Sequence, residues 1–235
     1  MLLINLFSGV AVAAANGMSS MSGMSGMSAM SGMSGNRATG QSCSLFKNSN
    51  IAKTIRTTLL KAAEKGHMFR VETSNSQIRF CVDSKIRDVE GSFGKIRGGI
   101  ALDQQQVSEE QAVIVIDTGS LQTNNPVVKS MIKSEEFFDV KNHPEILFVS
   151  TGVEWIGPTK AVLRGDLTLR GVTKTVTFDV KLTSAEKKAY DDDEEIMVHA
   201  TTSIKRSDFG MDSFTGMVSD SVKLCMSVRA KKYQA

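Results

Sequence analysis

Cysteine is scarce in this chain of 235 residues: there are 3, at Cys43, Cys81 and Cys225, and no two stand as C-x-x-C. That spacing excludes the common zinc and thioredoxin-type motifs. In an oxidising compartment one pair could bridge, leaving one free thiol. Aromatic residues make up only 6%, with 1 Trp and 2 Tyr. Too few are present for a base-stacking surface or for the two aromatic girdles of a membrane barrel. Neither sign of charge dominates. Against 28 Lys and Arg stand 25 Asp and Glu, interspersed along the chain, and a formal net charge of +3 gives no electrostatic footprint for nucleic acid. Catalytic signatures are missing too. Asp208-Phe209-Gly210 spells the magnesium motif of protein kinases without its companion motifs, and "GSFGKIRGG" lacks the G-K-[ST] ending of a phosphate loop. His67, His143 and His199 are scattered and supply no Ser/His/Asp or Cys/His arrangement, so no catalytic residue is assigned and an enzyme is not expected.

What is present begins with "MLLINLFSGVAVAAANG", an apolar run of signal-peptide length ending in small residues. Ala13-Ala14-Ala15 offers an A-x-A-like cleavage site, although no Lys or Arg precedes the run. The run is short and Gly/Ala-rich for a membrane anchor, so residues 1–15 are read as a signal peptide and the protein as periplasmic or secreted. Residues 16–50 are rich in Met, Ser and Gly and almost without charge, a composition expected to stay disordered. Within them Met18, Met21, Met24, Met27, Met30 and Met33 recur at every third position. Thioethers are soft ligands, and such a run can serve as a Cu(I) site. The other reading is a spacer: period three suits neither helix nor strand, and an extended polyproline-like chain would hold the sulfurs ~9 Å apart. A sacrificial role in methionine oxidation is also open.

Residues 51–66 change character. Ile51, Ile55, Leu59 and Ala62/Ala63 recur at helical spacing and Gly66 stands as a stop, which predicts an amphipathic helix packed on a domain. From Met68 the period becomes two. Ile78, Phe80 and Val82 alternate with polar residues; so do Leu163, Gly165, Leu167 and Leu169; Val176, Phe178, Val180 and Leu182; and Val222, Leu224, Met226 and Val228. Strict alternation gives each strand one apolar and one polar face. Arg170-Gly171 between two such runs reads as a hairpin turn, and "NPVVKSMIKSEEFF" as a short helix starting near Pro126. Because the polar faces carry Lys, Arg, Asp and Glu, they suit a solvated exterior, with the apolar faces inside a barrel over residues 67–231. The dense acidic run Asp191 to Glu195 is expected at a solvated hairpin tip.

The order of seven segments, "NSQIRFCV", "VEGSFGKIRGGIALD", "VIVIDTGSLQTNN", "SEEFFDVKNHPEILFVST", "LRGDLTLRGVTKTVTFDV", "TTSIKRSDFGMD" and "VSDSVKLCMSV", resembles the YceI-like family of lipid/polyisoprenoid-binding proteins across residues 68–230. The resemblance implies an all-β fold: an antiparallel lipocalin-like barrel of about eight strands with one or two short helices. It also implies export and an apolar cavity holding an isoprenoid, quinone-like or fatty-acyl chain, in a carrier or sequestration role needing no other cofactor.

Inward phase makes Phe80, Val82, Ile100, Phe148, Leu163, Leu167, Phe178 and Val180 candidates for that cavity's wall, with plain core filling as the alternative. Phe137 and Phe138 are adjacent and cannot share one strand phase, so one is expected to plug the barrel and the other to flank its mouth. By resemblance Arg206, Phe209 and Met211 lie near the cavity. Arg206 either meets a lipid headgroup or is held structurally by Asp208 or Asp166. Cys81 and Cys225 lie on polar phases of the first and last strands, which pair on closure and would make the sulfurs neighbours. The partner expected is a hydrophobic small molecule or lipid, with transient membrane contact and a homodimer left open. The rival function is a copper or oxidative-stress protein working through its Met-rich segment.

Overall fold

The computed structural model describes residues 53–103, 110–184 and 194–234. The signal-peptide and methionine-run readings therefore lie outside the described residues, as do residues 185–193 of the acidic connection. Helix α1 (Lys53–Glu64) is followed by β1 (Met68–Val71), β2 (Gln77–Ser84), β3 (Val89–Phe93), β4 (Ile96–Ala101), β5 (Gln111–Asp117) and β6 (Leu121–Gln122). After helix α2 (Pro126–Lys133) come β7 (Glu145–Trp155), β8 (Lys160–Leu169), β9 (Val172–Ser184), β10 (Glu195–Lys205) and β11 (Val218–Lys232).

The strands pair antiparallel in the order β1-β4-β5-β7-β8-β9-β10-β11, and β11 returns to β1, closing an eight-stranded barrel. The expected all-β, lipocalin-like barrel of about eight strands with one or two short helices is what the described residues form, with two helices among them. Closure occurs at the far end of β11, where Ala230 to Lys232 face Val71 to Phe69. Nearer its start, β11 pairs instead with β2, Val222 opposite Val82 and Met226 opposite Ile78. Strand β2 then carries β3 and the two-residue β6. So β1 with β2, β3 with β4, and β5 with β6 are interrupted strands shared between the closed end and a flared end. No pairing joins β6 to β7 across the flare, and α2 lies in the connection between them.

Burial follows the sequence period. In β2 Ile78, Phe80 and Val82 are buried while Gln77, Arg79 and Asp83 are exposed. Where the sequence instead runs without alternation, "AVIVI" at 112–116, both faces are covered. Ile114 and Ile116 point into the barrel. Val113 and Val115 sit outside beneath Leu59 and Ala63 of α1. That helix ends as expected: Gly66 takes φ 75, its N–H bonds Ala63 O at 3.1 Å and the His67 N–H bonds Ala62 O at 2.8 Å, a Schellman cap. The β8–β9 hairpin turns on two residues, Arg170 at φ 52 and Gly171 at φ 74, the type I′ geometry whose twist matches the flanking strands. Helix α2 starts at Pro126, and the Asn125 side chain caps it by accepting from the Val127 and Val128 N–H groups.

Candidate functional site: an apolar cavity in the flared end

Two parts fill the barrel differently. Toward the closed end Phe69, Ile100, Leu102, Leu182, Ile196 and Ala230 pack into a solid cluster. Toward the flared end the inward faces leave a cavity of about 300 Å³. Its walls come from β2 (Ile78, Phe80, Val82), β5 (Ile114, Ile116), β7 (Ile146, Phe148), β8 (Leu167, Leu169), β9 (Phe178) and β11 (Val222, Leu224, Met226), and α2 adds Met131 and Ile132. Ser84 and Arg206 are the polar side chains among the described wall residues.

Two glycines let the tips of aromatic rings approach this wall closely. A Cβ on Gly91 would stand 2.3 Å from the Phe80 ring, and one on Gly165 would stand 2.4 Å from the Phe148 ring. Phe80, Phe93 and Phe138 form one aromatic cluster, with Phe93 and Phe138 edge to face at 5.4 Å. Phe137 turns the other way and stacks on Phe214 at 6.0 Å. Phe137 and Phe138 both lie in the turn after α2, and the adjacent pair divides, Phe138 packing on the core and Phe137 standing at the mouth.

Arg206 lies only 4% exposed. Its guanidinium donates to the carbonyls of Ser219 (3.0 Å), Ser213 (2.7 Å), Val218 (3.3 Å) and Met211. All four acceptors sit in the β10–β11 connection and the start of β11, so this buried cation shapes the loop carrying Phe214 and Met217. Neither Asp208 nor Asp166 is its partner. Asp166 accepts from the Thr175 hydroxyl. Beside Arg206, the Ser207 N–H and hydroxyl donate to Asp220, and these bonds, helped by the charges of Arg206 and Lys205, hold the Asp220 carboxyl below the usual range.

Of the residues chosen from the sequence, Phe80, Val82, Phe137, Phe138, Phe148, Leu167, Phe178, Arg206 and Met211 line the cavity. Ile100, Leu163, Val180 and Phe209 do not. Ile100 belongs to the solid cluster, Leu163 and Val180 are half-buried at the core's margin, and Phe209 is buried in a 3-10 turn, Ser207–Phe209, outside the wall. Strand phase says which face a residue takes but not its depth along the barrel axis. The wall residues that phase could not find, Ile86, Met131, Ile132, Phe214 and Met217, come from turns and α2, where no period of two exists.

Cys81 and Cys225 are free thiols on the outer wall of adjacent strands. Cys81 faces Lys223 and Cys225 faces Arg79, so the two are diagonal rather than directly opposite. Burial, then the carboxylates of Glu90, Asp83 and Asp88, pushes the Cys81 thiol up. Among the described residues no three His, Cys, Asp or Glu side chains gather as a metal site, and no helix is long and apolar enough to cross a membrane.

The described residues thus define a closed antiparallel β-barrel with an apolar pocket at one end. The chain belongs to the YceI-like domain family, whose model matches residues 69–230. It is 34% identical over 144 residues to a UPF0312 protein of Pseudomonas putida strain W619, covering 61% of this chain and 74% of that one. A UPF0312 protein of Serratia proteamaculans is 34% identical over 138 residues, 59% of this chain and 71% of its own length. Among solved structures, Burkholderia cenocepacia BcnA superposes with a TM-score of 0.62 at 23% identity, covering 68% of this chain and 99% of that one. A polyisoprenoid binding domain from Saccharophagus degradans, implicated in plant cell wall breakdown, superposes with a TM-score of 0.53 at 17% identity, covering 70% and 98%.

Proposed function

We propose that this chain is an exported lipid-binding protein that holds a single isoprenoid, quinone-like or fatty-acyl chain in the flared half of its barrel, as a carrier or sequestering protein without catalysis. One observation carries the reading: the described walls of the cavity are aliphatic and aromatic, with Ser84 and Arg206 as the polar exceptions. Each methylene moved from water into such a site gains about 0.8 kcal/mol, so a chain is held without a network of polar contacts. No histidine or carboxylate stands among those walls, and the guanidinium of Arg206 is spent on backbone carbonyls. Both points support carriage over chemistry on the bound chain. The Saccharophagus degradans domain lends the reading a precedent in the fold, while the ligand class here is argued from the walls.

Native mass spectrometry of protein purified from its own host tests this. The expected result is an adduct that organic extraction removes and that analyses as a lipid. Purified, delipidated protein is also expected to take up 11-(dansylamino)undecanoic acid with a blue-shifted emission. Absence of both the adduct and the uptake overturns the reading.

A further inference from the structure

Of the large apolar side chains left exposed among the described residues, three also line the cavity: Ile86, Phe214 and Met217. Ile86 is 80% exposed in the β2–β3 turn, while Phe214 and Met217 are 46% and 47% exposed in the β10–β11 connection. The turns are joined, because the Lys85 N–H donates to Met217 O at 3.0 Å. Phe214 has φ 60, a left-handed backbone that bulky residues rarely adopt, and in this pose its ring stacks on Phe137. The four carbonyls bound by Arg206 bracket Phe214 and Met217 on both sides. The backbone that presents Phe214 and Met217 is thus held by a buried cation, and the Ile86 turn is tied to it through Lys85.

Charge adds a direction. Lys85 and Arg87 flank Ile86, are exposed, and have no ion-pair partner among the described residues. Of the acids of the same turn, Asp83 pairs with Lys223 at 3.9 Å, while Asp88 keeps its charge and turns a carboxylate oxygen back to the Ser84 N–H at 3.2 Å. Glu135, Glu136 and Asp212 belong to the segments carrying Phe137 and Phe214, so the cationic edge is local to the Ile86 turn. An apolar tip between two free cations, on the rim of an apolar tube, matches the boundary between acyl chains and phosphates in a bilayer.

We propose that the rim formed by Ile86, Phe214 and Met217 docks on an anionic lipid bilayer, with Lys85 and Arg87 on the phosphates, so that the ligand passes between membrane and cavity without crossing water. The proposal rests on the lipid-binding reading. Its test is flotation of the full chain with vesicles of phosphatidylcholine and phosphatidylglycerol. Wild type floats. Lys85→Glu with Arg87→Glu weakens vesicle binding by roughly fivefold per replaced cation or more. That double variant keeps the melting temperature and the uptake of 11-(dansylamino)undecanoic acid in solution, since neither side chain lines the cavity. Ile86→Ser lowers binding to vesicles with and without phosphatidylglycerol. Failure of wild type to float, or flotation unchanged in both variants, overturns the proposal. A dimer in sedimentation that Ile86→Ser dissociates, with flotation independent of the rim, also overturns it and assigns the rim to a second copy. Rim-dependent flotation with neither dansyl uptake nor an extractable lipid adduct keeps the docking surface and overturns the lipid-cavity reading.

Discussion

Phe148 and Phe178 meet edge to face inside the barrel, their ring centroids 5.2 Å apart and their planes at 80°. Both line the cavity and both are almost fully buried. Gly165 gives Phe148 the room to lie there. On the proposed function, a chain entering from the flared end would meet this pair as part of the wall. Phe178→Ala is expected to cost about 3–5 kcal/mol of stability, because a large buried ring leaves a void. The same void enlarges the cavity. In wild type, affinity for a series of saturated fatty acids should rise with chain length and then level off. In Phe178→Ala the levelling should move to longer chains. Denaturant melts and a displacement assay with the dansyl probe measure the two effects, and an unchanged length profile in a folded variant would show that the pair does not set the length of chain the cavity takes.

Arg206 is a cation held by carbonyls, and that fixes what its removal should do. Arg206→Met keeps much of the apolar stem but leaves four carbonyls without their donor, that of buried Met211 and those of half-buried Ser213, Val218 and Ser219. A loss of about 2–4 kcal/mol is expected, near the range for breaking buried charged hydrogen bonds. Arg206→Lys carries the charge without the planar fork and should recover only part. Hydrogen exchange should show the amides around Phe214 opening in both variants while those of β8 and β9 stay protected. Equal protection of the 211–219 segment in wild type and Arg206→Met would show that the guanidinium does not hold this loop.

The parts of this architecture that repeat were legible in the sequence. Ile78, Phe80 and Val82 gave their inward face away because one alternating strand cannot hide its phase. Arg170-Gly171 and Asn125-Pro126 marked a turn and a helix start through local backbone chemistry alone. The resemblance in motif order supplied the closed topology, which no single strand specifies. Depth and rim were not legible. Ile100 shares the inward phase of Phe80 yet packs in the solid half, because depth depends on register around the ring. Ile86, Phe214 and Met217 sit in turns, where side-chain direction follows the individual φ and ψ of each residue. Nothing in "MDSFTGM" announces that Phe214 takes φ 60; the four carbonyls on Arg206 accompany that turn, and they became visible only in three dimensions.

Gly91 tests the close approach of backbone and ring in isolation. A Cβ there would meet first the far edge of the Phe80 ring, at 2.3, 2.6 and 3.2 Å. Gly91→Ala is expected to destabilise by about 1–3 kcal/mol, the usual cost of overpacking. Phe80→Leu costs stability by itself but removes the clashing atoms. The double variant should therefore be more stable than the sum of the single effects predicts, by 0.5 kcal/mol or more, as coupled neighbours show. Additive effects in a thermodynamic cycle would mean that the ring moves aside at no cost.

Asp220 links the mouth to pH. Its carboxylate accepts from the Ser207 N–H at 2.9 Å and from the Ser207 hydroxyl at 2.8 Å, and these bonds lower its pKa in the folded chain. The unfolded chain has the ordinary Asp value of about 3.9. A group whose folded pKa is depressed stabilises the fold fully above its unfolded value and loses that contribution as pH falls through the folded one. Acid should therefore weaken the Ser207 turn, beginning near pH 4 and continuing below. Asp220→Asn retains an acceptor for one of the two bonds but no longer titrates, so it should be less stable than wild type at pH 7. The difference between the two should narrow as pH falls from 5 toward 2. Melting curves of both proteins across that interval measure it. The sign is fixed by the direction of the shift: a gap that widened on acidification would require Asp220 to hold its proton more tightly in the folded chain, contrary to the bonds it makes with Ser207.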